Sequence, residues 1–117
     1  MNLLITGGAG FIGPNLIYYI VEKYPDYKII NLDNLTYAGN LKNLKNLENN
    51  SNYKFIKGDI NDYDLVDKII KENNIDTIIH LAAESHVDKS ITGPDQFITT
   101  NIVGTHNLLK LALANNK

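Results

Sequence analysis

Apolar residues in this chain gather into four short runs, separated by segments with helical spacing. Residues 2–6 (NLLIT), 28–32 (KIINL), 53–57 (YKFIK) and 77–81 (TIIHL) are rich in Leu, Ile and Phe and are bounded by Gly, Asn or Asp. Short apolar runs between such turn formers predict buried strands. Residues 11–24 read as an amphipathic helix. Residues 63–73 read as another, with Leu65, Val66, Ile69 and Ile70 on one face and Asp62 as its N-cap. A last helix is predicted over 94–115, with Pro94 suited to its first turn. The Asn/Lys/Leu stretch 40–52 reads as a short exposed helix carrying Leu41, Leu44 and Leu47. Strands alternating with helices predict parallel pairing through right-handed crossovers. The expected fold is therefore α/β, a Rossmann-type doubly wound parallel sheet with four strands in the order 3-2-1-4, and one domain over residues 1–117.

Composition narrows the chemistry. At 117 residues the chain can bury one core. A net charge of −2 leaves no electrostatic footprint for nucleic acid or an anionic membrane, so neither is expected as a partner. All 11 basic residues are Lys, so the bidentate guanidinium clamp on phosphate is missing. A phosphate must then be held by backbone N–H groups, hydroxyls or Lys. Cysteine is absent, which excludes disulfides and thiolate zinc sites and points to a cytoplasmic protein. The N-terminus does not read as a signal peptide, because Leu3-Leu4-Ile5 breaks at Thr6-Gly7-Gly8. No His pair has metal-ligand spacing, so no metal site is expected. His80 sits inside an apolar strand and reads as a satisfied core residue, and His106 lies on the last helix. His86, just after the fourth strand, is a candidate substrate contact.

The first strand runs into Thr6-Gly7-Gly8-Ala9-Gly10-Phe11-Ile12-Gly13 and then a helix. Gly7, Gly10 and Gly13 form G-x-x-G-x-x-G. Glycines there permit a tight turn and let the backbone approach a pyrophosphate, while the helix N-terminus offers free N–H groups and the positive end of its dipole. Gly13 is expected to let the helix pack closely on the strand. Asp33 follows Gly13 by 20 residues, at the carboxyl end of the second strand. A carboxylate there accepts hydrogen bonds from ribose hydroxyls and repels a 2′-phosphate. With Asn34 beside it, and not a cation, NAD is favoured over NADP. Asp59, after the third strand, can receive the adenine amino group, and by itself would as readily be a turn residue.

The segments His80-Leu81-Ala82-Ala83-Glu84-Ser85-His86-Val87-Asp88-Lys89-Ser90, Asp33-Asn34-Leu35-Thr36-Tyr37-Ala38-Gly39-Asn40 and Thr99-Thr100-Asn101-Ile102-Val103-Gly104-Thr105 carry a resemblance. With them, the whole chain resembles the dTDP-glucose 4,6-dehydratases, extended short-chain dehydrogenases that act on nucleotide sugars. The glycine motif is shared across that superfamily; the other segments are more specific. The resemblance implies that Phe11 and Ile12 border the pyrophosphate, and that Asp33, Asn34, Leu35 and Thr36 border the adenosine ribose. Asp59 and Ile60 would flank adenine. Leu81, Ala82, Ala83, Glu84 and Ser85, with Thr100, would line the nicotinamide side, and Ser85 would also face the sugar nucleotide. Pro14, Thr99 and Lys89 depart from the family's usual residues; the Lys in place of a frequent Arg could loosen a bidentate contact.

Members of the family use a Tyr-x-x-x-Lys pair and a Thr-Asp-Glu segment. Tyr19/Lys23, Tyr24/Lys28 and Tyr53/Lys57 have the spacing, but the first helix, the amino edge of the sheet and a strand are all wrong places for it. Thr-Asp-Glu does not occur. No catalytic residue is therefore assigned within these residues, and the catalytic segment and sugar-binding domain are expected beyond Lys117. The resemblance further implies a homodimer and a reaction in which NAD takes hydride from C4 of the sugar, water leaves across C5 and C6, and hydride returns to C6. A UDP-sugar epimerase or decarboxylase, or a non-catalytic nucleotide-binding module, remains an alternative.

Overall fold

The computed structural model describes residues 1–36, 40–85 and 87–117, with Val87 by its backbone alone. Tyr37, Ala38, Gly39 and His86 lie outside the described residues, and with them the substrate contact expected of His86. In chain order the elements are β1 (Asn2–Thr6), α1 (Gly13–Lys23), β2 (Lys28–Asp33), a 3₁₀ helix (Leu41–Leu47), β3 (Tyr53–Lys57), α2 (Tyr63–Glu72) and β4 (Thr77–His80). Then come α3 (Val87–Thr92) and a continuous run of α4 (Pro94–Phe97), a π-helical stretch (Ile98–Gly104) and α5 (Thr105–Ala114). The strands form one parallel sheet in the order β3-β2-β1-β4, as expected.

Side chains alternate across the central strand and divide the core. Leu3 and Ile5 face Ala9, Ile17 and Ile20 of the glycine loop and α1, together with Leu44 and Leu47. Leu4 faces the opposite side, where Val66, Ile69 and Ile70 of α2 meet Leu108 and Leu111 of α5. Each fully buried Leu or Ile contributes roughly 1.5–3 kcal/mol, so both layers are needed to hold the sheet. Helix α2 starts where the side-chain oxygen of Asp62 accepts the Leu65 N–H at 3.2 Å, the cap expected from the sequence.

Three expectations need correction. Helix α1 begins at Gly13, not Phe11, because the preceding loop first folds back, the Gly10 N–H donating to the Gly7 carbonyl at 3.1 Å. The 41–47 helix is not simply exposed, since Leu44 and Leu47 are buried. Leucines spaced by three match the three-residue turn of a 3₁₀ helix, which stacks them on one face. The last helix is not uniform: its middle is π-helical, and a separate helix, α3, precedes it where no element is predicted.

Candidate functional site

A cleft of about 350 Å³ opens at the carboxyl ends of the strands, where a doubly wound sheet receives ligands. Its floor is built by the turn after β1. Gly7 adopts φ +69°, and a Cβ there would lie 2.6 Å from the backbone N and Cα of Ala82. Only glycine lets β1 leave the sheet this close to the segment after β4. A Cβ on Gly13 would lie 2.4 Å from the Gly8 carbonyl oxygen. The tight approach that Gly13 permits is therefore to the loop and not, as expected, to the strand itself. Gly10 differs from both. Its added Cβ would meet only the Gly7 oxygen, at 3.3 Å, and Gly10 borders the cleft. Packing within the protein does not demand glycine there, whereas a ligand lying against that backbone would.

Asp33, 9% exposed, sits at the end of β2. One carboxylate oxygen accepts the Ala9 N–H at 2.9 Å and the other accepts the Leu35 N–H at 2.8 Å. The same carboxylate thus braces the glycine loop and the turn after β2, and still borders the cleft. Leu35, held at φ +55°, packs toward the α1 side of the core and is not among the residues bordering the cleft. Its backbone reaches the site only through Asp33.

The remaining candidates converge. Gly7, Gly13, Phe11 and Ile12 border the cleft at the start of α1; Asn34 and Thr36 follow Asp33; Asp59 and Ile60 close the β3 side. Leu81, Ala82, Ala83 and Ser85 line it after β4, and Thr100 reaches it from the π-helical stretch. Asp59 also keeps its turn role, accepting the Asn61 N–H at 2.9 Å. Glu84 lines the cleft with the rest of segment 81–85, and three lining residues escaped the sequence reading: Leu32, Gly58 and Gln96. The first two adjoin residues already singled out. Gln96 gave no sequence signal, because only the path of the last helix brings it to the cleft. None of the three Tyr/Lys pairs borders the cleft. On the exposed face of α1, Lys23 Nζ instead donates to the Tyr19 hydroxyl at 3.0 Å.

Among the described residues, the ionisable ones lining the cleft are Asp33, Asp59 and Glu84, with no Lys. Among these lining elements it is the N-terminal turn of α1 that suits an anion, because amides without intrahelical acceptors and the helix dipole supply positive potential there. The carboxylates elsewhere suit neutral hydroxyl and amino donors. That polarity matches a ligand that carries an anionic group among neutral hydroxyl and amino donors. Among the described residues no helix is long and apolar enough to cross a membrane.

Residues 4–117 match the family described as GDP-mannose 4,6 dehydratase. Over 112 residues the chain is 54% identical to the dTDP-glucose 4,6-dehydratase of Escherichia coli, covering 96% of this chain and 31% of that protein. Over 109 residues it is 50% identical to a trifunctional UDP-glucose 4,6-dehydratase/UDP-4-keto-6-deoxy-D-glucose 3,5-epimerase/UDP-4-keto-L-rhamnose-reductase of Arabidopsis thaliana, covering 93% of this chain and 16% of that one. The crystal structure of a Bacillus anthracis dTDP-glucose 4,6-dehydratase in complex with NAD is similar, with a TM-score of 0.87 and 45% identity, covering 98% of this chain and 34% of that one. The chain spans about a third of the length of these bacterial relatives.

Proposed function

This chain belongs to the GDP-mannose 4,6 dehydratase family, and from that membership we propose that it is the NAD-binding part of a dTDP-glucose 4,6-dehydratase. The observation that carries the reading is Gly10, a glycine bordering the cleft in the loop before α1, where an added Cβ would meet one carbonyl oxygen of the protein, at 3.3 Å. In this assignment Gly7, Gly10, Phe11, Ile12 and Gly13 cradle the pyrophosphate. Asp33, Asn34 and Thr36 take the adenosine ribose, with Leu35 supporting Asp33 from behind. Asp59 and Ile60 flank adenine; Leu81, Ala82, Ala83, Ser85 and Thr100 line the nicotinamide side. Ser85 and His86 are assigned to the sugar nucleotide. Bound NAD supplies the acceptor and donor of the hydride moved between C4 and C6. The residues of this chain bind and orient; the proton-transferring Tyr/Lys pair and the sugar-binding domain are assigned to sequence outside residues 1–117. We place the protein in the cytoplasm.

Titration calorimetry of the 117-residue chain tests the cofactor. NAD is expected to bind, and NADP to bind at least about tenfold more weakly because Asp33 faces its 2′-phosphate. No heat with NAD would end the reading. The chain alone is expected to make no 4-keto sugar. A second substrate reading, UDP-glucose, is favoured by the near-equal identity to the bacterial and plant dehydratases. Turnover of dTDP-glucose against UDP-glucose by the protein that carries this chain separates the two.

A homodimer is part of the proposal. Ile98, Ile102, Leu109 and Leu113 of the last helical run stay more than half exposed while Leu108 and Leu111 are buried, a spread wider than one core-facing stripe. Sedimentation at micromolar concentration is expected to show self-association that Ile102→Glu and Leu109→Glu together abolish. A wild-type chain that sediments as a monomer counts against this part.

A further inference from the structure

We infer that His80 is the positioning residue for segment 81–85, acting as the neutral Nε2–H tautomer in the middle of one directed chain of hydrogen bonds. Direction follows from donor counting. The Thr105 hydroxyl donates to the Asn101 carbonyl at 2.7 Å, so its proton is committed. Its oxygen must then accept from His80 Nε2, 2.9 Å away, and Nε2 carries the ring proton. Nδ1 is left as an acceptor for the Thr6 hydroxyl at 2.7 Å, and Thr6 Oγ1 in turn accepts the Ala82 N–H at 3.3 Å. The chain thus runs from the amide of Ala82, through β1 and β4, to the backbone of the π-helical stretch.

Asn101 closes the structure from the other end. Its side-chain oxygen accepts the Glu84 N–H at 2.7 Å, and its Nδ2 donates to the Glu84 carbonyl at 2.9 Å. Segment 81–85 belongs to no strand or helix, and these bonds, with the Leu81 N–H on the Thr6 carbonyl at 2.9 Å, hold it against the cleft. A protonated ring would turn Nδ1 into a donor against Thr6 Oγ1, and the Thr6 proton would need another acceptor. β1 carries no titratable side chain, and β4 none besides His80. α5 contributes His106 and Lys110, both exposed, and the segment itself contributes Glu84. None of these holds the ring charged: burial alone lowers its pKa from the ordinary imidazole value. Unfolded chain takes up a proton through the ordinary imidazole range and folded chain does not. Stability therefore falls as pH drops through that range, until the lower folded pKa is passed.

Two readouts decide the inference. Ring nitrogen NMR of the 117-residue chain at neutral pH is expected to show His80 neutral with the proton on Nε2. Amide exchange at Ala82 and Glu84 is expected to speed up by about tenfold or more in His80→Leu and in Thr105→Val, with core amides of β2 unchanged. Thr105→Ser, which keeps the hydroxyl, should restore protection. His80→Asn, whose oxygen can take the place of Nδ1, should keep the Ala82 end and lose the Glu84 end. A charged or Nδ1–H ring, or unchanged exchange at both amides, overturns the inference; if His80→Leu does not fold, Thr105→Val decides. The effect on ligand rests on the NAD reading: His80→Leu should weaken NAD binding by about tenfold. Wild-type chain that does not bind NAD would remove the cofactor reading while the exchange data still judge the positioning.

Discussion

Gly10→Ala is expected to leave the fold standing and to weaken NAD binding by more than about tenfold, while Gly7→Ala should threaten the fold itself. The two glycines stand three residues apart in one motif, yet they answer to different neighbours. At Gly7 a methyl group would sit 2.6 Å from the backbone of Ala82, in a residue already at φ +69°. The left-handed conformation alone costs an Ala roughly 1–2 kcal/mol. Overlap with backbone that cannot rotate away adds about 1–3 kcal/mol more. A total near 3 kcal/mol is a large share of the stability of a domain this size. At Gly10 the methyl meets one carbonyl oxygen at 3.3 Å, which needs to yield only slightly, and its bulk enters the cleft. Thermal unfolding and NAD titration of both variants separate the cases. A Gly10→Ala chain that binds NAD as the wild type does would mean that no ligand backbone lies against this residue.

Asp33→Ala should do two things at once. It removes the carboxylate proposed to hold the ribose, so the preference for NAD over NADP is expected to narrow. It also strands the N–H groups of Ala9 and Leu35, to which that carboxylate is bonded at 2.9 and 2.8 Å. Ala9 is fully buried, so its amide cannot turn to water instead. Hydrogen bonds to a charged group contribute about 1.5–3 kcal/mol each, and stability should fall by about 3 kcal/mol even without ligand. Denaturant unfolding in the absence of NAD checks the second effect and calorimetry the first. Unchanged stability would show that the loop does not lean on Asp33; an unchanged cofactor ratio would count against the ribose assignment.

Much of this was legible in the sequence because its causes are local. Apolar runs of strand length, helices between them and glycines after the first run require only neighbours in the chain, and they led to the sheet order and to the glycine loop with Asp33 and Asp59. Most of the other cleft residues were implied only by the family resemblance. The 3₁₀ helix was legible too, had the three-residue spacing of Leu41, Leu44 and Leu47 been read as a period. Other features depend on residues far apart. Asn31 is a polar residue inside the apolar run 28–32. In the fold it is fully buried, its Nδ2 donating to the Tyr53 hydroxyl at 3.1 Å and its Oδ1 without a hydrogen-bond partner among the described residues. Burial pushes the Tyr53 pKa up, against the smaller lowering from Asn31.

Local pattern thus determined which segments are strands and helices, how they pair, and where a dinucleotide loop must stand, because backbone propensity and the alternation of apolar residues act over a few positions. Tertiary structure alone decided the double duty of Asp33, the place of Gln96 at the cleft, and the π-helical stretch of the last helix. That stretch lets Asn101 grip Glu84 and Thr105 reach His80, while Gly104 makes room for Ile60, whose Cδ1 would stand 2.4 Å from a Cβ there. Those contacts join residues 17 to 44 positions apart. No period in the sequence can encode them, since each exists only once the sheet has brought its carboxyl ends together.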